Sequence, residues 1–418
     1  MTTAPEGTFG PRILALADHL AEYSDSAHGL TCLYLTLAHR TVAAELRRLM
    51  QAAGMEVTID AAANVAGRWR SDAPGAKALI VGSHYDTVRD AGKYDGRLGI
   101  LAALVAVEAL RDEGRRLPFH LDVIAFSEEE GVRFSAPYIG SSAMAGRFDA
   151  RLLARRDAAG FALADVIRES GLDPAAIPAL ARRRDDLLGY LEVHIEQGPV
   201  LLAEDLSVGI VTAIAGAVRR KVTIAGEAGH AGTVPLALRH DAGLAAAELI
   251  LFVERRCQAS PGMVGTVGQL GVPNGAMNVI PARCELSLDV RAGDSATLDA
   301  AMTDIDAEMA RIAQARGVSF ESEEVVCTPA VACAPWLQQR LAAAVEGAGV
   351  TPRYLMSGAG HDAVMFDGLT AVGMLFVRCG NGGVSHSPRE TITAEDADIA
   401  ARVLINTLLN IRPDHAHE

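Results

Sequence analysis

Three short apolar runs in the first half of the chain each break abruptly into acidic and imidazole side chains: ALIVGSHYDTV (78–88), FHLDVIAFSEEEG (119–131) and DLLGYLEVHIEQG (186–198). A continuously apolar run of this length reads as a strand buried on both faces, as occurs where helices cover both sides of a parallel sheet. Between the first two lies YDGRLGILAALVAVEALRDEG, a strongly apolar helix that supplies a crossover. Strand, helix and strand at this spacing form a βαβ unit. Loops leaving the carboxyl ends of parallel strands gather along one sheet edge, so the polar residues at these ends are expected to meet.

At 418 residues and 43.9 kDa the chain exceeds one ordinary core. Its texture changes after residue 212. RRKVTIAGEAGHAGTVP alternates as a strand, RHDAGLAAAELILFVERRC reads as a helix, GTVGQLGVPNGAMNVIPARCELSLDVRA as strands and SATLDAAMTDIDAEMARIAQARG as a helix. We therefore expect an α/β fold with a mixed, mostly parallel sheet flanked by helices, built from residues 1–212 and 329–418. An inserted α+β domain over 213–328 interrupts it.

Composition narrows the partners. A net charge of −14 argues against nucleic acid and anionic membranes. The N-terminus lacks a basic segment followed by an apolar one, and no run reaches 18 apolar residues, so a soluble cytoplasmic protein is expected. Six scattered cysteines without a CxxC pair indicate neither a disulfide framework nor a thiolate zinc site, and read as buried apolar fillers.

The strand ends carry His84, Asp86, Glu129, Glu130 and His194, joined by Asp95 in KYDG and His386 in GGVSHSP. Imidazoles and carboxylates without thiolates suit zinc or another borderline divalent ion. Asp86, two residues beyond His84, is placed to hold that ring by its other nitrogen. Taken singly, each residue has an ordinary reading. A lone histidine is usually a hydrogen-bonded loop residue, Asp95 before Gly96 suits a turn or helix cap, and Glu128, Glu129 and Glu130 suit a solvated face. In a cleft, however, three adjacent glutamates repel one another unless a cation is present. Their occurrence together at the ends of apolar strands points to a metal hydrolase.

HYDTV, GKYDGRLG, SEEEGVRF, HIEQGPVL, GHAGTVP, GAMNVIPARCELSLDVR, SGAGHDA and GGVSHSP, in this order, resemble the co-catalytic zinc hydrolases of the aminoacylase and carboxypeptidase G type. The narrower resemblance is to the branch of allantoate amidohydrolase, N-carbamoyl-L-amino-acid hydrolase and β-ureidopropionase. It implies two divalent ions per chain, zinc or manganese, cobalt or nickel. Asp95 would bridge them, His84 and His194 would hold one, Glu130 and His386 the other, and Glu129 would be the general base. Gln197, Asn278, Arg291 and the backbone at Gly360 would contact substrate, while Asp86 and His361 would support the ligands. Without the resemblance, Arg291 reads as a surface partner of Asp289 or Asp294.

The resemblance further implies that the insert is a dimerisation or lid domain whose His230 reaches the neighbouring subunit's site and stabilises an oxyanion. The implied reaction is cleavage of the carbamoyl C–N bond of a ureido acid, allantoate ahead of an N-carbamoyl-L-amino acid, releasing carbon dioxide and ammonia. GTVPL stands where many relatives have GTTPM, which bears on substrate rather than reaction. A dipeptidase or aminoacylase on the same scaffold is the competing enzyme, and a catalytically silent binding protein would have lost a ligand or the base.

Overall fold

The computed structural model describes residues 8–414. The described residues divide into two compact units: one made of 8–212, 333–355 and 360–414, the other of 213–332 with 356–359.

The first unit is built on a mixed sheet in the order Glu56–Ile59, Val65–Trp69, His120–Phe126, Ala78–His84, Leu187–Ile195, Val372–Val377, Val208–Ile214. Its four central strands, 120–126, 78–84, 187–195 and 372–377, are mutually parallel, and antiparallel strands flank them on both sides. Every residue of Ala78–His84 and Leu187–Ile195 is buried, which explains why their sequences do not alternate. Because the central strands share a direction, His84, Ser127 and His194 leave the sheet at one edge.

The crossover helix Arg97–Asp112 packs on strands 78–84 and 187–195 and is overlaid by Gly10–Ala21 and Ala394–Asn410. A helix with apolar layers on both sides must be apolar almost all round, as RLGILAALVAVEAL is. Thr36 starts the preceding helix, Leu37–Ala52, by accepting a hydrogen bond from the His39 N–H. A smaller core under the loop after strand 120–126 joins Tyr34, Phe134, Ile139, Leu163 and Ile177.

The second unit is an antiparallel sheet in the order 270–271, 283–292, 216–225, 319–328, with 264–266 also paired to 283–292. Helices Ala242–Gln258 and Ser295–Arg316, capped by Asp241 and Asp294, bury one face of it over Val218, Val222, Leu286, Leu288 and Val290. Burial alternates along 216–225 and 283–292, as one-sided cover requires. The strand Ser319–Thr328, SFESEEVVCT, has a register shift between Glu324 and Val326 and is largely exposed, so its pattern gives no strand signal. Residues 356–359 are a later return of the chain to this unit.

Five cysteines are buried as expected, whereas Cys327, on that open strand, is exposed. Among the described residues no helix is long and apolar enough to cross a membrane.

Candidate metal centre

His84 is the last residue of its strand and is buried. Gly96 lets Asp95 reach it. At φ +65° this residue caps the crossover helix, and a Cβ there would lie 2.5 Å from the His84 ring. The KYDG turn thus lays a carboxylate onto an imidazole. His194, from the neighbouring parallel strand, joins them: its Nε2 lies 3.2 Å from Asp95 Oδ1, and His84 Nε2 lies 3.6 Å from the same oxygen. On the carboxylate's other side, His386 Nε2 is 3.1 Å from Asp95 Oδ2 and 3.3 Å from Glu130 Oε1. Ligand atoms of His84, Asp95 and His194 lie within 4.8 Å of one another, as do those of Asp95, Glu130 and His386, and of His84, Glu129 and Glu130. Asp95 is common to the first two groups.

The three adjacent glutamates divide. Glu128, at φ +55°, turns inward and accepts the N–H groups of Arg133 at 3.2 Å and Phe134 at 3.4 Å; burial pushes its carboxyl up to about 8. Glu129 and Glu130 face the imidazoles. Their own N–H groups donate to the two oxygens of Asp86, at 3.1 and 3.2 Å. Asp86 was expected to hold His84 through its carboxylate. Instead the ring's Nδ1 lies 3.1 Å from the Asp86 main-chain oxygen and 3.8 Å from the carboxylate, which is taken up by the glutamate backbone.

These contacts fit a cation. His84 Nδ1 and His194 Nδ1 face main-chain oxygens, of Asp86 at 3.1 Å and Ile195 at 2.8 Å. A carbonyl only accepts, so each Nδ1 carries its proton. A neutral ring then directs the bare lone pair of Nε2 at Asp95, whose buried Oδ1 accepts no hydrogen bond. Lone pairs facing one another at this range repel unless a proton or a metal ion lies between. With protons in those places, burial still acts to raise Asp95, but contacts with His194, His386 and His84 outweigh it and hold the carboxyl well below its usual range. Asp95 and Glu130 push His386 up to about 10. Burial pushes Glu129 well above the usual carboxylate range, with His84 opposing it.

Residues 80–410 match the family described as peptidase family M20/M25/M40. The chain belongs to that family. Over 380 residues, 91% of this chain and 93% of the relative, it is 40% identical to an N-carbamoyl-L-amino acid amidohydrolase of Geobacillus stearothermophilus. It is 37% identical to an allantoate deiminase of Arabidopsis thaliana over 426 residues, 94% of this chain and 81% of the relative. A crystal structure of a hydantoinase/carbamoylase family amidase from Burkholderia multivorans superposes with a TM-score of 0.89 at 30% identity, covering 100% of this chain and 99% of the other.

In this M20-family chain the remaining expected residues fall in both units. Gln197, at φ +55°, donates through Nε2 to Asp95 Oδ2 at 3.0 Å and lies 3.3 Å from His386 Nε2. His361 stacks edge-on against His194, with ring centroids 4.5 Å apart, and burial pushes it well below its usual range. Gly360 belongs to the same unit. His230, Asn278 and Arg291 belong to the second unit. There His230 and Val279 face each other in a two-residue ladder next to Asn278, and His230 Nδ1 accepts the Gly232 N–H at 3.0 Å, so any proton on a neutral ring sits on the exposed Nε2. The Arg291 guanidinium is bidentate to Asp289 at 2.8 Å and donates to the Gly358 oxygen at 2.6 Å.

Glu390 escapes a reading of the sequence. Buried Glu390 accepts the N–H of Tyr94 at 2.8 Å, the N–H of Asp95 at 3.1 Å and the Ser385 hydroxyl at 2.8 Å. The same hydroxyl lies 3.0 Å from Asp95 Oδ2, so Glu390 ties the Asp95 turn to the His386 loop. Glu390 follows His386 by only four residues, and that proximity is its sole sequence signal.

Proposed function

We propose that the protein is a homodimeric, metal-dependent amidohydrolase that cleaves the carbamoyl C–N bond of a ureido acid, allantoate or an N-carbamoyl-L-amino acid. The observation that carries this reading is the convergence of three imidazole Nε2 atoms on one buried carboxylate, with Glu129 beside them. The relatives named above, an N-carbamoyl-L-amino acid amidohydrolase and an allantoate deiminase, support the substrate class.

His84 and His194 with Asp95 would hold one divalent ion, and Glu130 and His386 with Asp95 a second, as zinc, manganese, cobalt or nickel. Such an ion supplies Lewis acidity, polarising a carbonyl and acidifying a water. Glu129 takes the proton of the attacking water and returns it to the leaving nitrogen. Burial raises its proton affinity and the neighbouring positive charge lowers it, and a carboxyl held between these influences can do both. The carbamate released breaks down to carbon dioxide and ammonia. Arg291 and Asn278 engage the substrate carboxylate, Gln197 and the Gly360 backbone the remainder of the ureido acid, and His230 of one subunit serves the partner's site as an oxyanion donor. Asp86 and His361 hold the ligand segments in place.

Cleavage with manganese or zinc supplied, read as ammonia release from allantoate, N-carbamoyl-L- and D-amino acids and N-carbamoyl-β-alanine, and as free amino acid from an N-acetyl amino acid and a dipeptide, tests the reading. Ureido acids are expected to be cleaved fastest. Faster cleavage of the dipeptide or the acetyl compound would replace the reading with the peptidase one. Dialysis against a chelator is expected to remove activity, and resupply of the divalent ion to restore it. Full activity after complete stripping, checked by elemental analysis, would overturn the metal dependence.

A further inference from the structure

Tyr138 is pinned beside the proposed base. Its N–H donates to the Glu129 main-chain oxygen at 3.3 Å, and the next two N–H groups donate to the main-chain oxygens of Glu128 at 3.2 Å and Ser127 at 3.0 Å. At φ +62° and ψ +28° it holds a left-handed conformation, which is costly for a bulky side chain and is characteristic of positions with a functional constraint. The ring reaches across to the SGAGHDA segment. A Cβ built on Gly360 would lie 2.0 Å from the phenol oxygen and 3.4 Å from Cζ, so the hydroxyl occupies the space a side chain at 360 would need. Burial, and then the negative charges of Glu129 and Asp362, keep the phenol protonated. Among the described residues this half-buried hydroxyl has no hydrogen-bond partner. A donor held at such cost, on a residue bonded to the Glu129 main chain and with its hydroxyl over a glycine, is arranged for a ligand rather than for the fold.

We propose that Tyr138 is a substrate-contacting residue, whose hydroxyl donates a hydrogen bond to the group being cleaved, alongside Glu129. The proposal rests on placing the reaction at this centre. It also accounts for Gly360: the glycine leaves room for the hydroxyl.

The test uses Tyr138→Phe, Gly360→Ala and the double variant, with kcat, KM, bound metal and the thermal midpoint measured for each. Rates are read on whichever panel compound the unaltered enzyme cleaves, so a change of substrate class overturns the preceding reading without deciding this one. Tyr138→Phe is expected to keep its metal and midpoint while kcat/KM falls about tenfold to a hundredfold, chiefly in kcat. Gly360→Ala alone is expected to lower both midpoint and activity. In the Tyr138→Phe background the alanine Cβ meets only the ring carbon, so the midpoint should recover while activity stays at the Tyr138→Phe level. Unchanged kcat/KM in Tyr138→Phe would overturn the contact. A parallel fall of metal, midpoint and rate would show a structural role and overturn it equally, and a midpoint loss from Gly360→Ala that is the same in both backgrounds would overturn the hydroxyl's placement.

Discussion

Glu129→Gln is expected to keep its metal and its unfolding midpoint while losing about 10²–10⁴-fold in kcat, the range assigned to a positioned acid–base group. The amide is nearly the same shape, and the segment's position depends on main-chain N–H groups donated to Asp86, not on the Glu129 side chain. What disappears is a site for the proton. Burial raises that carboxyl and His84 pulls it down, and an amide answers to neither. Turnover within a few-fold of the unaltered enzyme, with metal content unchanged, would remove Glu129 from the proposed role.

Asp95→Asn should act at an earlier step, the uptake of metal. Three imidazoles face this one carboxylate, and Gln197 and Ser385 also bond to its Oδ2. An amide nitrogen placed there would direct a donor at ring nitrogens or at an incoming cation, and the negative charge that favours the cation would be gone. In the unaltered protein, divalent metal at a hundredfold its dissociation constant should stabilise the fold by about 2.7 kcal/mol. In Asp95→Asn the same addition should leave the midpoint unmoved, with elemental analysis finding little metal and activity lost. A metal-dependent rise equal to that of the unaltered protein would show that Asp95 is not a ligand.

The sheet edge was legible because its signals are local. Runs such as ALIVGSH and LEVHI state both that a strand is buried and where it stops, and the histidine is written at the stopping point. Asp95 was less legible, since KYDG alone is an ordinary turn, and the requirement for Gly96 follows only from the His84 ring above it. Asp86 was marked as a supporting residue, yet its backbone and its carboxylate serve different partners, a division that residue type does not encode. Glu390 and Tyr138 were not singled out at all. Their contacts span hundreds of residues, from 390 to 94 and from 138 to 360, and no periodicity records such a distance. The strand 319–328 was unreadable for a different reason: only part of it is covered, so selection for apolar alternation is weak.

The strand Leu187–Ile195 is buried along its whole length, with Ala78–His84 on one side and Val372–Val377 on the other. During synthesis the first neighbour exists before this strand emerges, while the second is about 180 residues away, on the far side of the second unit. At roughly 5–20 residues per second the ribosome leaves that apolar edge unpaired for about ten seconds or longer. A nascent chain of this design offers a long sticky flank to its neighbours on the polysome and to chaperones, and its last proposed ligand, His386, arrives only after the flank has closed. Premature termination after residue 195 and before residue 372 therefore leaves an adhesive fragment as well as an inactive one.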